Sequence, residues 1–108
     1  MNTKDLIENV GLKALSTFDH REITGVFVSD MLSDVMAGAQ SGNLWITVQT
    51  HKNVVPAANL VDVSAIIITS GKSVPQETLD LANKHNIAVL STPLATFELI
   101  GKLYSLGL

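Results

Sequence analysis

Several features that decide function classes are missing from this sequence. It has no cysteine, only 3 prolines, 5% aromatic residues and 16% charged residues. Without cysteine there is no disulfide framework, no thiolate zinc site and no cysteine nucleophile. No apolar stretch reaches the roughly 18 residues of a membrane span, and the charged N-terminus lacks the apolar core of a secretory signal. We therefore expect a cytoplasmic protein that does not enter a membrane.

Charge of either sign is also sparse. The 7 Lys and Arg residues are scattered and the formal net charge is only -3. Proteins that neutralise the phosphates of a duplex carry a basic stripe, so nucleic acid is not an expected partner. An unusually charge-poor surface is typical of an interface, which predicts that another chain covers part of this one. Between residues 23 and 71 the only charged side chains are Asp30, Asp34, Lys52 and Asp62.

Apolar residues, in contrast, make up 46% of the 108 residues. This share is well above that of disordered chains, and the length fits one domain with one core. No internal repeat, low-complexity tract or linker divides the sequence. We therefore predict a single domain over residues 1–108.

Apolar, β-branched runs alternate with segments of helical spacing from residue 23 onward. After a short helix over 4–10 and an edge strand over 12–15, strands are predicted over 23–28, 43–48, 65–69 and 87–90. Helices are predicted over 31–39, 53–61, 75–84 and 94–106. Such alternation produces a mostly parallel sheet with helices on both faces. The predicted fold is α/β, a three-layer α/β/α domain with a mostly parallel sheet of about four to five strands.

Predicted helix starts use the usual capping residues. Thr3 and Asn53 are predicted N-caps, and Ser73 with Gln76 has the spacing of a capping box. Thr92 with Pro93 at the first helical position is expected to start the last helix.

The last predicted helix is apolar almost all round. One stripe can cover the sheet, but the other needs a partner, and we therefore predict a homodimer through an apolar helix surface. The two stripes are Leu94, Phe97, Ile100, Gly101 and Tyr104 on one side and Leu99, Leu103 and Leu106 on the other.

Each predicted parallel strand ends in hydrogen-bonding residues. Because the carboxyl ends of parallel strands share one edge of the sheet, where open α/β folds bind ligands, these residues predict a ligand site. Hydroxyls and free backbone N–H groups at helix starts suit a phosphate or carboxylate, so the expected ligand is a small anionic metabolite or a nucleotide. The candidate ligand-binding residues are Ser29, Asp30, Gln49, Thr50, His51, Thr69, Gly71, Ser91 and Thr92.

No residue pattern in this sequence indicates a specific reaction, cofactor or metal site. Gly71-Lys72-Ser73 imitates the end of a P-loop, but Ile66 stands where the first glycine is required. No dinucleotide fingerprint or nucleophile elbow occurs. His51 with Asp30 and Asp34 is compatible with a divalent metal, although hydrogen bonding and helix capping explain the same residues. We predict no catalytic residue, no cofactor and no metal.

The order of several short phrases resembles the DRTGG domain family. These phrases are REITG, SDMLSDVM, LWITVQTH, IITSG and LSTPLATFE, and the likeness spans about Asp19 to Tyr104. The resemblance implies a regulatory or ligand-sensing module, often dimeric. Asp19, Arg21 and Glu22 read as a locally paired loop, and the resemblance implies a fixed role for Arg21, either anchoring that loop or contacting an anion.

Three functions remain open from the sequence. The preferred one is a non-catalytic regulatory module that binds a small anionic ligand at the strand edge. The first alternative is an interaction or dimerisation module with no small ligand. The second is an enzyme acting on phosphorylated or acyl substrates, with His51 as its acid or base.

Overall fold

Ten short elements build the domain in the alternating order expected from the sequence. The structure, a computed structural model, describes residues 1–108. The helices are α1 (Thr3–Val10), α2 (Leu32–Gly38), α3 (Val54–Val61), α4 (Gln76–Lys84) and α5 (Thr96–Ser105). The strands are β1 (Lys13–Ala14), β2 (Gly25–Val28), β3 (Asn43–Thr47), β4 (Ala65–Ile68) and β5 (Val89–Ser91). None of the helices has the length and apolar character needed to cross a bilayer.

The five strands form one sheet in the order β1-β5-β4-β3-β2. β2, β3, β4 and β5 run parallel, and β1 pairs antiparallel with β5. Each parallel connection contains a helix, as a crossover between parallel strands requires. The predicted fold class is therefore confirmed.

The sheet buries both of its faces against helices. Alternate strand residues such as Trp45, Ile66 and Val89 share one core cluster with residues of α2, α3 and α4. The intervening residues, including Leu44 and Ile67, share the other cluster with residues of α1 and α5. Burial on both faces explains why the strand sequences are continuously apolar. Trp45 is fully buried in this core.

Several helix starts differ from the predicted ones. Asn2, not Thr3, caps α1: its Oδ1 accepts from the Asp5 N–H at 2.9 Å, and the Asp5 carboxylate accepts from the Asn2 N–H at 3.3 Å. Thr3 is instead fully buried, and its hydroxyl lies 2.9 Å from His20 Nδ1. The Thr3 hydroxyl, which the local sequence predicted to cap the helix, is therefore used in a tertiary contact with His20.

The last two helices also begin differently. Pro75 occupies the N-cap position of α4 and the predicted Ser73–Gln76 capping box does not form; the Gln76 side chain donates to Asp80 Oδ1 at 2.8 Å. α5 begins at Thr96 rather than Leu94, because Thr92 Oγ1 accepts from the Leu94 N–H at 3.2 Å in a local turn. Side-chain hydrogen bonds of this kind compete with helix initiation.

Arg21 joins three segments at the amino ends of the strands. Its guanidinium donates to the Val63 carbonyl at 2.9 Å and contacts both carboxylate oxygens of Asp62 at 2.9 and 3.1 Å. Ser41 Oγ donates to the same carboxylate. The loop before β2, the α2–β3 loop and the α3–β4 turn therefore meet at one carboxylate. Arg21 does not pair with a residue of its own loop, so the expected local pairing is wrong. Its contacts instead anchor that loop to Asp62 and Val63.

The same contacts stabilise the charged form of Asp62. A hydrogen bond from Ser41, together with the hydrogen bond and charge of Arg21, lowers the pKa of Asp62 from its ordinary value. Because the pKa is lower in the folded state than in the unfolded chain, this group stabilises the fold fully above the unfolded pKa. That stabilisation is lost as the pH falls through the folded pKa.

We expect Arg21→Ala to lower the free energy of unfolding by about 1–3 kcal/mol, because the Val63 carbonyl loses this side-chain donor and the Asp62 carboxylate keeps only that of Ser41. Urea denaturation at pH 7 measures the change. Arg21→Lys keeps the charge but not the two-pronged contact, so it should recover only part of the loss. Glu22→Ala is the control, because Glu22 contacts only the N-terminal amine at 3.5 Å. An Arg21→Ala protein as stable as the wild type would contradict the anchoring role.

Asp62→Asn should make stability less dependent on pH. Above about pH 5 the variant is expected to be less stable than the wild type by a constant amount. The difference should shrink as the pH falls below 3.8, the ordinary pKa of this aspartate, because the unfolded wild-type chain takes up the proton there before the folded protein does. Urea denaturation from pH 7 to pH 3 tests this. A gap that is unchanged at pH 3 would show that the lost stabilisation is not electrostatic.

Candidate functional site

The polar ends of the four parallel strands lie along one edge of the sheet, as their shared direction requires. Ser29 and Asp30 follow β2, and the 49–51 segment follows β3. Thr69 and Gly71 follow β4, while Ser91 ends β5 and Thr92 follows it. The structure therefore brings all nine candidate residues to the edge that the sequence indicated. We call this edge the carboxyl edge.

Asp30 connects the ends of β2 and β3. Its Oδ1 accepts from the Thr47 hydroxyl at 2.8 Å and from the Val48 N–H at 3.0 Å. Trp45 Nε1 reinforces the junction by donating to the Ser29 carbonyl at 2.8 Å. The expectation that Ser29 or Asp30 caps α2 is therefore wrong: Met31 occupies the N-cap position, and the Asp30 carboxylate bonds to the neighbouring strand. Ser29 Oγ accepts from the Met31 N–H at 3.1 Å, next to the start of α2.

The segment after β3 is held by hydrogen bonds of its own. The His51 N–H donates to Gln49 Oε1 at 3.2 Å, and His51 Nδ1 accepts from the Asn53 N–H at 3.1 Å. The Thr50 carbonyl accepts from the Thr78 hydroxyl of α4 at 2.9 Å. Asn53 occupies the N-cap position of α3 but makes no side-chain cap. The His51 imidazole accepts from the N–H of this N-cap residue, and its side chain stays exposed.

The ends of β4 and β5 are tied to each other. The Ser70 and Gly71 N–H groups donate to the Leu94 and Thr92 carbonyls at 2.7 and 3.0 Å. Both residues adopt left-handed backbone angles, with φ of 63° and 64°, so the chain turns sharply here. Thr69 Oγ1 lies 2.8 Å from Thr96 Oγ1 at the start of α5. This turn therefore holds α5 against the sheet.

These bonds change the chemistry expected at the carboxyl edge. In the loops at this edge, the N–H groups of Ser70, Gly71 and Leu94 already have acceptors within the protein, so these three are not free to receive an anion. The hydroxyls of Thr69 and Thr92 are buried and also engaged. Among the nine candidates, the exposed residues are Asp30, His51 and Gly71.

The metal alternative raised by Asp30, Asp34 and His51 does not have the required geometry. The structure contains no cluster of three His, Asp or Glu side chains able to hold an ion. Asp30 is committed to Thr47 and Val48, and His51 Nδ1 to Asn53. The three side chains therefore act in separate local networks.

Two adjoining grooves lie between α3 and α4. The larger, of about 420 Å³, begins at Lys52 and Asn53, directly after His51, so it opens from the carboxyl edge. The smaller, of about 280 Å³, continues it and shares Pro56 and Leu81. The larger is lined by Lys52, Asn53, Pro56, Glu77, Asp80, Leu81 and Lys84. The concave surface beside the carboxyl edge thus lies between α3 and α4. We call the two grooves together the α3–α4 groove.

The groove residues were not among the sequence candidates. Glu77, Asp80 and Lys84 have the spacing of a solvated helix face, and nothing in the order of residues indicates that α3 packs beside α4 at this distance. Lys52 Nζ donates to Glu77 Oε1 at 3.0 Å across the mouth of the groove. This ion pair joins a residue just before α3 to one in the first turn of α4. It forms only because these two helices pack side by side.

We expect Asp30→Ala to lower the free energy of unfolding by about 1–2 kcal/mol, because the buried Thr47 hydroxyl and the Val48 N–H lose their acceptor. Asp30→Asn keeps an Oδ1 acceptor and should lose less. Asp34→Ala is the matched control: this neighbouring aspartate contacts only the Ser29 hydroxyl, at 3.5 Å, and should change stability by less than about 0.5 kcal/mol. Equal stability of the Asp30→Ala and Asp34→Ala proteins in urea denaturation would disprove the connecting role of Asp30.

Comparison with known proteins places the chain among characterised domains. The family model described as DRTGG domain matches residues 5–106. Among solved structures, the fold is similar to the CBS and DRTGG domains of the regulatory region of Clostridium perfringens pyrophosphatase, complexed with its activator diadenosine tetraphosphate. The TM-score is 0.72 at 20% sequence identity.

That match covers 94% of this chain and 45% of the other, so the chain spans less than half the length of that regulatory region. No curated protein matches the sequence. The family match extends over nearly the whole chain, which therefore belongs to the DRTGG domain family.

Proposed function

We propose that this domain is a non-catalytic regulatory module of the cytoplasm that binds a small anionic metabolite or nucleotide at the carboxyl edge. The observation that carries the proposal is the α3–α4 groove, which opens from this edge beside His51. Its volume lies in the range of small-molecule sites. The similar regulatory region of the pyrophosphatase was solved with a nucleotide activator, which supports the same class of ligand here.

The groove has the chemistry of a nucleotide site rather than that of a bare polyanion site. Lys52 and Lys84 supply positive charge for phosphate, while Pro56 and Leu81 form an apolar floor for a base. Glu77 and Asp80 are acceptors suited to the hydroxyls of a ribose, and they would repel a compact polyanion. A ligand with separate anionic, hydroxyl and aromatic parts therefore matches the basic, acidic and apolar side chains that line the groove.

Within this proposal the nine candidate residues divide into two roles. Asp30, His51 and Gly71 are exposed, and Asp30 and His51 would contact the ligand through the atoms not already bonded, Asp30 Oδ2 and His51 Nε2. The other six are at least partly buried, and we assign them to shaping the edge: Ser29, Gln49, Thr50, Thr69, Ser91 and Thr92.

A thermal-shift panel of nucleotides, dinucleoside polyphosphates, acyl phosphates and central metabolites tests ligand binding. A bound ligand stabilises the fold by RT ln(1 + [L]/Kd), about 2.7 kcal/mol at 100 times Kd. Lys84→Glu should abolish the shift, because it reverses the charge that faces the anionic group. Lys13→Glu in β1, outside the groove, is the matched control and should keep it. No shift with any compound would contradict the proposal and favour an interaction module without a small ligand.

We further propose that the module works as a homodimer. The charge-poor surface between residues 23 and 71 and the apolar outer face of the last helix support this. Ligand binding and dimerisation are separate proposals, because the groove on α3 and α4 does not include α5.

A further inference from the structure

The outer face of α5 carries two large aromatic side chains that the domain leaves in solvent. Leu99 and Leu103 on the inner face are fully buried against the sheet. Phe97 and Tyr104 are 87% and 80% exposed, although they lie on the same helix. Aromatic residues are enriched at interfaces, where they contribute much of the binding energy. Of the predicted stripe, Phe97, Gly101 and Tyr104 are thus uncovered within the domain, whereas Leu94 and Ile100 pack partly against the core.

Gly101 lies at the centre of this outer face, four residues after Phe97 and three before Tyr104. A Cβ at Gly101 meets no heavy atom within 4 Å, so no contact inside the domain requires its absence. A glycine inside a helix is unfavourable relative to alanine. Its absent side chain does leave room for the backbone of a second helix to approach closely. The position is therefore suited to a helix crossing point.

The face is complementary to itself under a two-fold axis. If two α5 helices cross antiparallel with the axis between Ile100 and Gly101, residues equally far before and after the axis oppose each other. Phe97 then lies against the partner's Tyr104, and each aromatic pair occurs twice. Such an arrangement is isologous and closed, as in most dimers of soluble proteins.

The charges on the other flank of α5 match in the same arrangement. Glu98 and Lys102 are exposed, and neither forms an ion pair within the domain. The antiparallel crossing that pairs the aromatic rings also brings Glu98 near the partner's Lys102. A parallel arrangement would instead place like charges opposite each other. The charges therefore favour a second copy of this chain in one orientation.

We infer that two copies of this chain bind each other through an antiparallel α5–α5 contact, with Gly101 at the crossing point, Phe97 on the partner's Tyr104 and Glu98 beside the partner's Lys102. This inference rests on the proposed homodimer and assigns its surface. Two buried aromatic side chains cover roughly 300–500 Å² per partner. A stable standard interface covers about 800 Å² per partner, so we expect a reversible dimer with a Kd on the order of micromolar.

Charge reversal tests the contact directly. Glu98→Lys and Lys102→Glu should each raise the dimer Kd at least tenfold, because each variant opposes like charges at the crossing. An equal mixture of the two variants should form a heterodimer, since all four opposed positions then pair opposite charges. Sedimentation velocity at low salt, on each variant alone and on the mixture, measures this, and circular dichroism confirms that the variants fold.

Gly101→Leu provides an independent test of the crossing point. It improves helix propensity, and its Cβ meets no heavy atom of the domain within 4 Å, so the protein should stay folded while the dimer is lost. Lys13→Glu in β1 is the control and should dimerise like the wild type.

The possible results distinguish the α5 contact from homodimerisation through another surface and from ligand binding. A wild-type protein that is monomeric at about 100 times the expected micromolar Kd overturns both the homodimer and the α5 contact. A dimeric wild type whose Glu98→Lys and Lys102→Glu variants still dimerise alone overturns the α5 contact only. Ligand binding is read separately from the thermal-shift panel.

Discussion

Burial of the central strands on both faces is the constraint on which this structure depends. The four residues of β4 are at most 1% exposed, and those of β3 after Asn43 are nearly as buried. A strand without a solvated face needs helices on both sides, and parallel strands need crossovers that supply them. The three layers, the order of elements and the gathering of strand ends at one edge all follow from this burial.

The same constraint decides what the polar residues at the carboxyl edge do. Strand ends next to a dry core must satisfy their polar groups, because a buried donor or acceptor without a partner costs about 1–3 kcal/mol. Asp30, Thr47 and Thr69 are used in this way, and every buried side-chain polar atom has a partner. The polar groups that remain exposed therefore lie beside this edge, at the starts of α3 and α4.

The two edges of the sheet serve different purposes. At the amino edge Arg21 and Asp62 join loops that are distant in sequence, and a family motif residue acts there as an anchor. At the carboxyl edge the loops bond mainly to one another and leave a groove beside them. α5 adds a third surface, since its inner leucines complete the core while its outer aromatic residues find no partner in the domain.

The sequence by itself determined the fold class and the position of the strand ends. Apolar periodicity depends on neighbouring residues only, so the runs around Trp45 and Ile67 identify buried strands without knowledge of their partners. Tertiary structure alone decided the partner of Arg21, the bond from Asp30 to Thr47 and the groove between Lys52 and Lys84. Each of these joins residues on different elements, and their distances depend on how crossovers pack. Local sequence patterns do not predict that packing. A hydroxyl or carboxylate at a position typical of a helix cap bonds instead to another element when that element brings a donor or acceptor within reach.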